Sequence, residues 1–388
     1  MKGKVAVALV MAFAVAGCGD DDASGGPSRE EVQDALETAV DAGAPGIAVE
    51  IRGPDGEEFL TAGLASLEPR RSISTKDHFR IASVTKSFTA AIVMQLVADG
   101  KLSLDDTVEE AAPGLLPASE PTAPGVLQAS EQITIRNLLA HTSGLADYVE
   151  LPVFAEIVGA GEPLPPEEVL ELIADERLEF PPGSRYDYSD SDNIVLGFII
   201  EAVTGRSFEQ ELRSRLIEPL GLDQTTLATK IGVLPQPHVE GYQFEPDNPE
   251  PVNVTDVPLD PNGAWASGAL VSTPDDVATF FQSLLGGEIV DRDQLEEMME
   301  TVPGEGSPPG PGRNEAGLGI FRWSVPCGDV WGHTGAFPGF RALGGADEGG
   351  DRAIAFLVNA TDLPEATEAA VLDAQELAIC RALGKDAG

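Results

Sequence analysis

The distribution of strand and helix patterns along the chain constrains its fold more than any other feature. Residues 46–52 alternate as a strand does, and residues 58–65 return as a second strand after the turn Pro54-Asp55-Gly56. Four more short strand patterns lie near the other end, at 319–324, 330–333, 341–346 and 353–359. Helical patterns and proline-rich loops fill the middle. Because strands lie at both ends, we predict an α+β body with a mainly helical lobe inserted in it.

The balance of charge limits the partners that this chain can have. Its 388 residues include 65 acidic and 24 basic ones, which gives a formal net charge of −41. Such a surface repels nucleic acid and anionic lipid headgroups, so we exclude both as direct partners. Acidic excess accompanies adaptation to high salt, and it also occurs as simple solubilising charge; both interpretations stay open.

The N-terminus has the pattern of a targeting segment. Lys2 and Lys4 precede an apolar run at 5–15, which is too short to span a bilayer. The sequence Val15-Ala16-Gly17-Cys18 then resembles the lipobox of bacterial lipoproteins, although an ordinary secretory signal with an incidental cysteine is the alternative. We therefore predict a lipoprotein signal peptide at 1–18, lipidation of Cys18, and a flexible tether at 19–29. The mature protein would be extracytoplasmic and would touch the membrane only through its lipid anchor.

The remaining cysteines and the histidines bear on disulfides and metals. Outside the cytoplasm, Cys327 and Cys380 are more often bridged than free. The four histidines lie far apart, and no Cys/His cluster has the spacing of a zinc site. We therefore predict no metal and no cofactor.

A Ser-x-x-Lys motif is the first candidate for chemistry. Good helix formers follow Ser83, so Ser83 and Lys86 would lie one turn apart on one face of a helix. A serine needs a neighbouring base to become a nucleophile, and a buried lysine can be that base. The motif also occurs often by chance, so it requires partners elsewhere in the chain.

Three later stretches could supply those partners. A loop that opens a helix contains Tyr188, and the segment at 331–336 places His333 and Thr334 beside glycines near the end of a strand. The third stretch, at 262–274, contains Trp265. Each of these residues, taken alone, is more often a packing or structural residue than a functional one.

Together and in this order, the motifs resemble the serine penicillin-recognising superfamily, which contains class C β-lactamases, DD-peptidases and esterase relatives. The stretches that carry the likeness are Ser83–Lys86, Tyr188-Ser189-Asp190 and His333-Thr334-Gly335, with 138–145, 263–273 and 317–323. The resemblance covers about 30–384 and implies a β-lactamase/transpeptidase-like catalytic domain, with an antiparallel sheet flanked by helices. Its α/β lobe would take in about 30–95 and 268–384, and its helical lobe about 96–267. The placement of the cysteines also resembles secreted D-alanyl-D-alanine carboxypeptidases, which implies a Cys327–Cys380 bridge.

The resemblance also implies a mechanism. Ser83 would form an acyl-enzyme, Lys86 and Tyr188 would share the proton transfers, and water would release the acyl group. Backbone N–H groups of Ser83 and Ala336 would bind the oxyanion. His333 is carried over as a catalytic residue, and it would line the strand edge together with Thr334. The implied substrate-binding residues are Asp190, Thr334, Ala336, Trp265 and Arg322, the last for a terminal carboxylate of the substrate.

The activity most strongly implied is that of a D-alanyl-D-alanine carboxypeptidase acting as a monomer on peptidoglycan peptides. An esterase or β-lactamase acting on small acyl substrates is the alternative, and a non-catalytic envelope protein is another. One departure from the family pattern, Asp190 in place of asparagine, puts the substrate in doubt. An ionised aspartate only accepts hydrogen bonds, and it would hold Lys86 protonated. That favours Tyr188 as the general base.

Overall fold

The computed structural model describes residues 25–116, 131–174, 176–228, 230, 233–245, 248–256, 261–304 and 306–385. The predicted signal peptide, Cys18 and most of the predicted tether lie outside these ranges. Among the helices that the structure describes, none is both long and apolar enough to cross a bilayer.

An eight-stranded antiparallel sheet forms the body of the protein. Its strands are β1 Gly46–Gly53, β2 Gly56–Gly63, β8 Val302–Pro303, β9 Arg313–Ala316, β10 Phe321–Val325, β11 Gly328–Phe337, β12 Phe340–Ala346 and β13 Ala353–Val358. They lie in the order β2-β1-β13-β12-β11-β10-β9-β8. Two small sheets add β3 Phe79–Arg80, β4 Thr226–Leu227 and β7 Leu270–Ser272, and β5 Tyr242–Glu245, β6 Asn248–Asn253 and β14 Ala360–Thr361. The α+β prediction is confirmed.

The helices cover both faces of the large sheet, and all but the first and the last of them lie between β2 and β8 in the sequence. They are α1 Arg29–Asp41, α2 Thr85–Ala98, α3 Val108–Ala111, α4 Ile135–Leu139, α5 Pro152–Ala160, α6 Pro166–Ala174, α7 Asp190–Thr204, α8 Phe208–Leu212, α9 Glu218–Leu220, α10 Trp265–Gly268, α11 Pro274–Leu285, α12 Arg292–Met298 and α13 Glu365–Leu383.

Each face of the large sheet is covered by its own hydrophobic core. On one face, α1 and α13 pack against the odd-numbered side chains of β1, including Val49 and Ile51. On the other face, Ala48 joins a core that contains α2, α7 and α11. Nearly every residue of α2 is buried. The helix after Ser83 is therefore held from all sides, which fixes the position of its first turn.

The structure differs from the predicted elements in four short strands and one helix. Strands β4, β5 and β6 fall inside the range predicted as a helical lobe. Strand β9 is short and polar and is not among the predicted strands; it forms by pairing with β10. Helix α5 lies in the middle region, with Pro152 at its start and Gly161 in a left-handed cap.

Candidate active site

The backbone around Ser83 is shaped by a tight turn against strand β11. Residues Ala82–Val84 form a short 3-10 turn that leads into α2, and Ala82 has a left-handed φ of 47°. Gly335 lies directly against this turn. A Cβ on Gly335 would come 2.2 Å from the Ile81 carbonyl oxygen and 3.0 Å from the Ser83 nitrogen. Glycine at 335 is thus what allows the strand edge to approach Ser83.

The Lys86 ammonium group is completely surrounded by acceptors. Its side chain is fully buried, and Nζ donates to Ser83 Oγ at 3.0 Å, to Asp190 Oδ1 at 2.6 Å and to the Ser267 carbonyl at 2.9 Å. These three bonds use all three protons of an ammonium group. Lys86 thus has an acceptor for each proton of an ammonium group, and it points one of these protons at Ser83.

Tyr188 stands over this ammonium group. Its ring centroid lies 5.1 Å from Lys86 Nζ, and its buried hydroxyl makes no hydrogen bond of ordinary geometry with any described residue. Burial, and then the Asp190 carboxylate, raise the pKa of the Tyr188 hydroxyl well above its ordinary value, while Ser83 has a smaller, opposing effect. The resting Tyr188 is thus a neutral phenol.

Asp147 and the Ser267 carbonyl belong to the site, and sequence reasoning missed both. Burial, and then the neighbouring Asp190 carboxylate, raise the pKa of Asp147 to about 8. Asp147 therefore carries a proton at neutral pH, while Asp190 is paired with Lys86. Its position just after the His141-Thr-Ser-Gly-Leu145 stretch, which carries part of the family likeness, was the signal available in the sequence.

A buried polar network holds the loop that carries Tyr188. His141 Nδ1 lies 3.0 Å from Asp192 Oδ2, and the Ser189 N–H donates to the same nitrogen at 3.3 Å. Asp192 also accepts a hydrogen bond from the Ser143 hydroxyl. The His141 ring lies 4.5 Å from the Tyr188 ring. This network fixes Tyr188 relative to α7.

His333 lies beside Tyr188 and makes no hydrogen bond to Ser83 or Lys86 in the described residues. Burial, and then the Lys86 charge, lower the pKa of His333 well below its ordinary value, so the ring is neutral. Its Nδ1 lies 2.5 Å from the Thr334 carbonyl oxygen and donates to it, and its ring centroid is 6.2 Å from that of Tyr188. In this structure His333 supports the ring of Tyr188.

A cavity of about 680 Å³ opens beside Ser83. Ser83, Tyr188, Thr334 and Ala336 line its inner end, as the resemblance implied for a site along the strand edge. Thr334 Oγ1 donates to the Pro309 carbonyl at 2.8 Å, which ties the loop at 307–310 over the cavity. At the far end lie Arg341 and Leu363, which comes just before α13. The first turns of α13 complete this end with Glu368, Val371, Leu372 and Gln375.

Two predicted substrate-binding residues lie outside this cavity. Arg322 alternates with the buried Phe321 and Trp323 along β10, so its guanidinium points to the other face, where it pairs with Glu315. Trp265 packs in the core against Phe198, at 4.7 Å between ring centroids. Neither side chain lines the cavity beside Ser83 in this structure, and sequence spacing alone does not give the direction of a side chain.

Arg341 lines the cavity where Arg322 was expected to contribute. It lies on β12 opposite Ala336, and its Nη1 is 2.7 Å from each carboxylate oxygen of Glu368. The structure also joins Cys327, beside the turn between β10 and β11, to Cys380 of α13 by a disulfide bond.

Known proteins share this architecture. Penicillin-binding protein 4 of Amycolatopsis lactamdurans is 31% identical over 251 residues, which are 65% of this chain and 61% of that protein. The chain thus spans less than two thirds of that relative. A D-stereospecific amidohydrolase from Streptomyces has a TM-score of 0.75 at 30% identity, covering 90% of this chain and 98% of that one.

A D-amino acid amidase from Ochrobactrum anthropi SV3 has a TM-score of 0.77 at 26% identity, covering 91% of this chain and 97% of that one. A family model described as Beta-lactamase matches residues 32–378, which include Ser83, Lys86, Tyr188 and His333. The chain belongs to the β-lactamase family of serine hydrolases and penicillin-binding proteins.

Proposed function

We propose that this protein is a serine hydrolase that forms an acyl-enzyme on Ser83 and cleaves amide bonds next to a D-configured residue. The observation that carries the proposal is the buried Lys86 ammonium, which donates to Ser83 Oγ at 3.0 Å beside a cavity of about 680 Å³. Burying a charged group costs free energy, so a buried ammonium group that is directed at a hydroxyl indicates a functional task at that place. Polarising the attacking oxygen is such a task.

The protonation states favour Tyr188 over Lys86 as the group that moves the proton. Ser83 Oγ attacks the substrate carbonyl carbon, and its proton passes to the Tyr188 oxygen while the Tyr188 proton passes to the leaving nitrogen. The phenol therefore never has to exist as a free phenolate, which agrees with its raised pKa. Lys86 stays an ammonium and stabilises the charge that develops. Backbone N–H groups of Ser83 and Ala336 would bind the oxyanion, and water then attacks the acyl-enzyme.

The substrate class follows from the acidic pair beside Lys86. Lys86 contacts only Oδ1 of Asp190, and Asp147 adds a second carboxyl next to it. A free α-ammonium group beside the scissile carbonyl would find an acceptor in Oδ2 of Asp190, whereas asparagine bonded to Lys86 through its oxygen would present a donor NH2 group at that position. D-aminoacyl amides and peptides carry that group. The names of the two structural relatives, a D-stereospecific amidohydrolase and a D-amino acid amidase, support the same class.

D-alanyl-D-alanine carboxypeptidase activity is the second candidate, and the resemblance of the motifs favours it. Its substrate ends in a carboxylate that a cation must receive. Arg322 points away from the cavity. Arg341, which lines it, bonds Glu368 through Nη1, while its buried Nε and Nη2 have no hydrogen-bond partner among the described residues. Because a substrate carboxylate would have to reach these two nitrogens beside the Glu368 carboxylate, we place D-aminoacyl amides first, with the carboxypeptidase, esterase and β-lactamase activities as measured alternatives.

One substrate panel tests these possibilities. The panel contains D-phenylalanine amide, its N-acetylated form, an acyl-D-Ala-D-Ala peptide, p-nitrophenyl acetate and a chromogenic cephalosporin. We expect kcat/KM for the free D-amide to exceed that of the N-acetylated form by about tenfold or more, the value of one charge-assisted contact. Faster cleavage of acyl-D-Ala-D-Ala would establish the carboxypeptidase instead.

The Ser83→Ala variant is the control for the nucleophile. Intact-mass analysis after treatment with a fluorophosphonate or a penicillin should show one adduct on the native protein and none on this variant. An adduct that persists on Ser83→Ala would remove Ser83 from the mechanism. A native protein that forms no adduct and turns over nothing in the panel would be a non-catalytic binding protein.

We further propose that the protein acts outside the cytoplasm, anchored by a lipid on Cys18. The lipobox-like Val15-Ala16-Gly17-Cys18 supports this. In a bacterial host, Cys18→Ala should move the protein from the membrane fraction to the soluble one. Size exclusion of the released protein would test the predicted monomer.

A further inference from the structure

A second cluster of acidic residues lies away from Ser83, on the face of the large sheet where α11 packs. It combines Glu50 of β1, Glu57 of β2 and Asp275 in the first turn of α11. One oxygen from each carboxylate lies within 4.8 Å of the other two. Glu50 and Glu57 lie on the two strands of one hairpin, and Asp275 comes more than 200 residues later in the sequence, so no motif announces the cluster.

Glu50 is the member that points to a ligand. It is only 5% exposed, and its carboxylate makes no hydrogen bond or ion pair with the described residues; Arg52 acts on it only as a nearby positive charge. It lines a cavity of about 600 Å³ together with Glu57 and Asp275. Buried carboxylates are nearly always paired or bonded. An unpartnered one that opens into a cavity therefore suits a cation that enters from solvent.

The local cations do not remove the need for a ligand. Arg52 pairs with Glu57 at 3.1 Å and also with Asp275, but it makes no ion pair with Glu50. Lys76 lines the same cavity and makes no ion pair with any of the three. The guanidinium is thus shared between the two outer carboxylates, and the buried one is left over.

We propose that Glu50, Glu57 and Asp275 bind a calcium ion. Calcium takes six to eight oxygen ligands at about 2.3–2.6 Å, so ligand atoms up to about 5 Å apart can share one ion. Neutral oxygens of the kind that calcium accepts line the same cavity, on Gln224, Gln236 and Thr273. Neither histidine nor cysteine lines the cavity, which disfavours zinc and the softer transition metals.

Such an ion would act on stability. It would join the β1–β2 hairpin to the start of α11. Calcium would cross-link these elements only in the folded protein, so it should raise the melting temperature. The predicted absence of metals rested on Cys/His spacing, and this site is built from oxygen ligands instead.

The test measures calcium binding to the mature protein after removal of metals with EDTA. Titration calorimetry at about 0.15 M salt should give one ion per chain, with a Kd of about 10⁻⁴–10⁻³ M, the range of extracellular calcium modules. Glu50→Gln keeps the shape of the side chain and should weaken binding at least about tenfold, removing the calcium-dependent rise in melting temperature. Glu37→Gln, at an exposed position of α1, is the matched control and should change neither.

Three results would overturn the proposal. The first is no binding at calcium concentrations well above that Kd. The second is equal affinity in native protein and Glu50→Gln. The third is weak binding of several ions that Glu50→Gln leaves unchanged, which would be ordinary attraction to an acidic surface of net charge −41. The substrate panel is independent of this site, so either proposal can fail without the other.

Discussion

Replacing Asp190 by asparagine should separate the two possible roles of Lys86. Lys86 Nζ lies 2.6 Å from Asp190 Oδ1, and asparagine would keep an acceptor there while removing its charge. The variant replaces an ion pair by an ion–dipole hydrogen bond, which we take to lose about half of the 1.5–3 kcal/mol that a hydrogen bond to a charged group contributes. The ammonium form of Lys86 would therefore lose about 1–1.5 kcal/mol of stabilisation, which corresponds to about a tenfold change in rate.

The direction of that change is the informative result. If Lys86 acts as an ammonium that polarises Ser83, Asp190→Asn should lower kcat/KM for p-nitrophenyl acetate about tenfold. For D-phenylalanine amide the fall should be larger, because the substrate ammonium loses its acceptor as well. Asp187→Asn is the matched control, since Asp187 is half-exposed on the same loop and pairs with Arg185 at 3.0 Å.

A rise in ester turnover would refute this reasoning. Asp190→Asn would then have made neutral Lys86 easier to form, and Lys86 would be the base. An equal loss for the ester and the amide would refute the α-ammonium site at Asp190 and leave the role of Lys86 intact. Circular dichroism and melting temperature of the variant distinguish either outcome from misfolding.

Three further predictions concern a glycine beside Ser83, the disulfide bond and the buried Glu50. Gly335→Ala should cut kcat about 10²-fold, because its Cβ would lie 2.2 Å from the Ile81 carbonyl oxygen and displace the turn that carries Ser83. Single-turnover acylation measures this effect, and an unchanged rate would contradict the close approach of Gly335 to that turn. Replacing both Cys327 and Cys380, which are 53 residues apart, by serine should lower the free energy of unfolding by about 2–4 kcal/mol, as measured by urea denaturation. An unchanged free energy of unfolding would show that the bridge does not stabilise the fold. Burial, and then Asp275, raise the pKa of Glu50 to about 8, so the folded protein keeps a proton there that the unfolded chain releases above about 4.5. The free energy of unfolding should therefore fall as pH rises through that window, by at most about 5 kcal/mol, and Glu50→Gln in EDTA should lose this slope.

The elements with strong local signals were predictable, and the reason is that their own sequence caps and buries them. Ser28 and Glu31 form a capping box at the start of α1, and Val32 and Leu36 repeat on its buried face. The β1–β2 hairpin follows from alternation and a glycine turn. Strand β4 depends on β7, which lies more than 40 residues further on in the sequence. Strands β5, β6 and β9 pair with strands next to them in the chain, but their sequences are short and rich in polar residues or proline, so no local pattern announces them.

The same contrast between strong and weak local signals applies to the site residues. It explains why the positions of some could be predicted and those of others could not. Ser83 and Lys86 share one helical turn, so their spacing alone places Lys86 Nζ near Ser83 Oγ, which it meets at 3.0 Å. Asp190 could be placed because its motif is compared with a family pattern. Arg322 could not, because a strand reverses the direction of side chains at every residue, and a shift by one position moves a guanidinium to the opposite face. Residue identity in a motif therefore predicts chemistry best where the secondary structure between the partners is a helix, and worst along the strands of the cavity wall, where substrate specificity is decided.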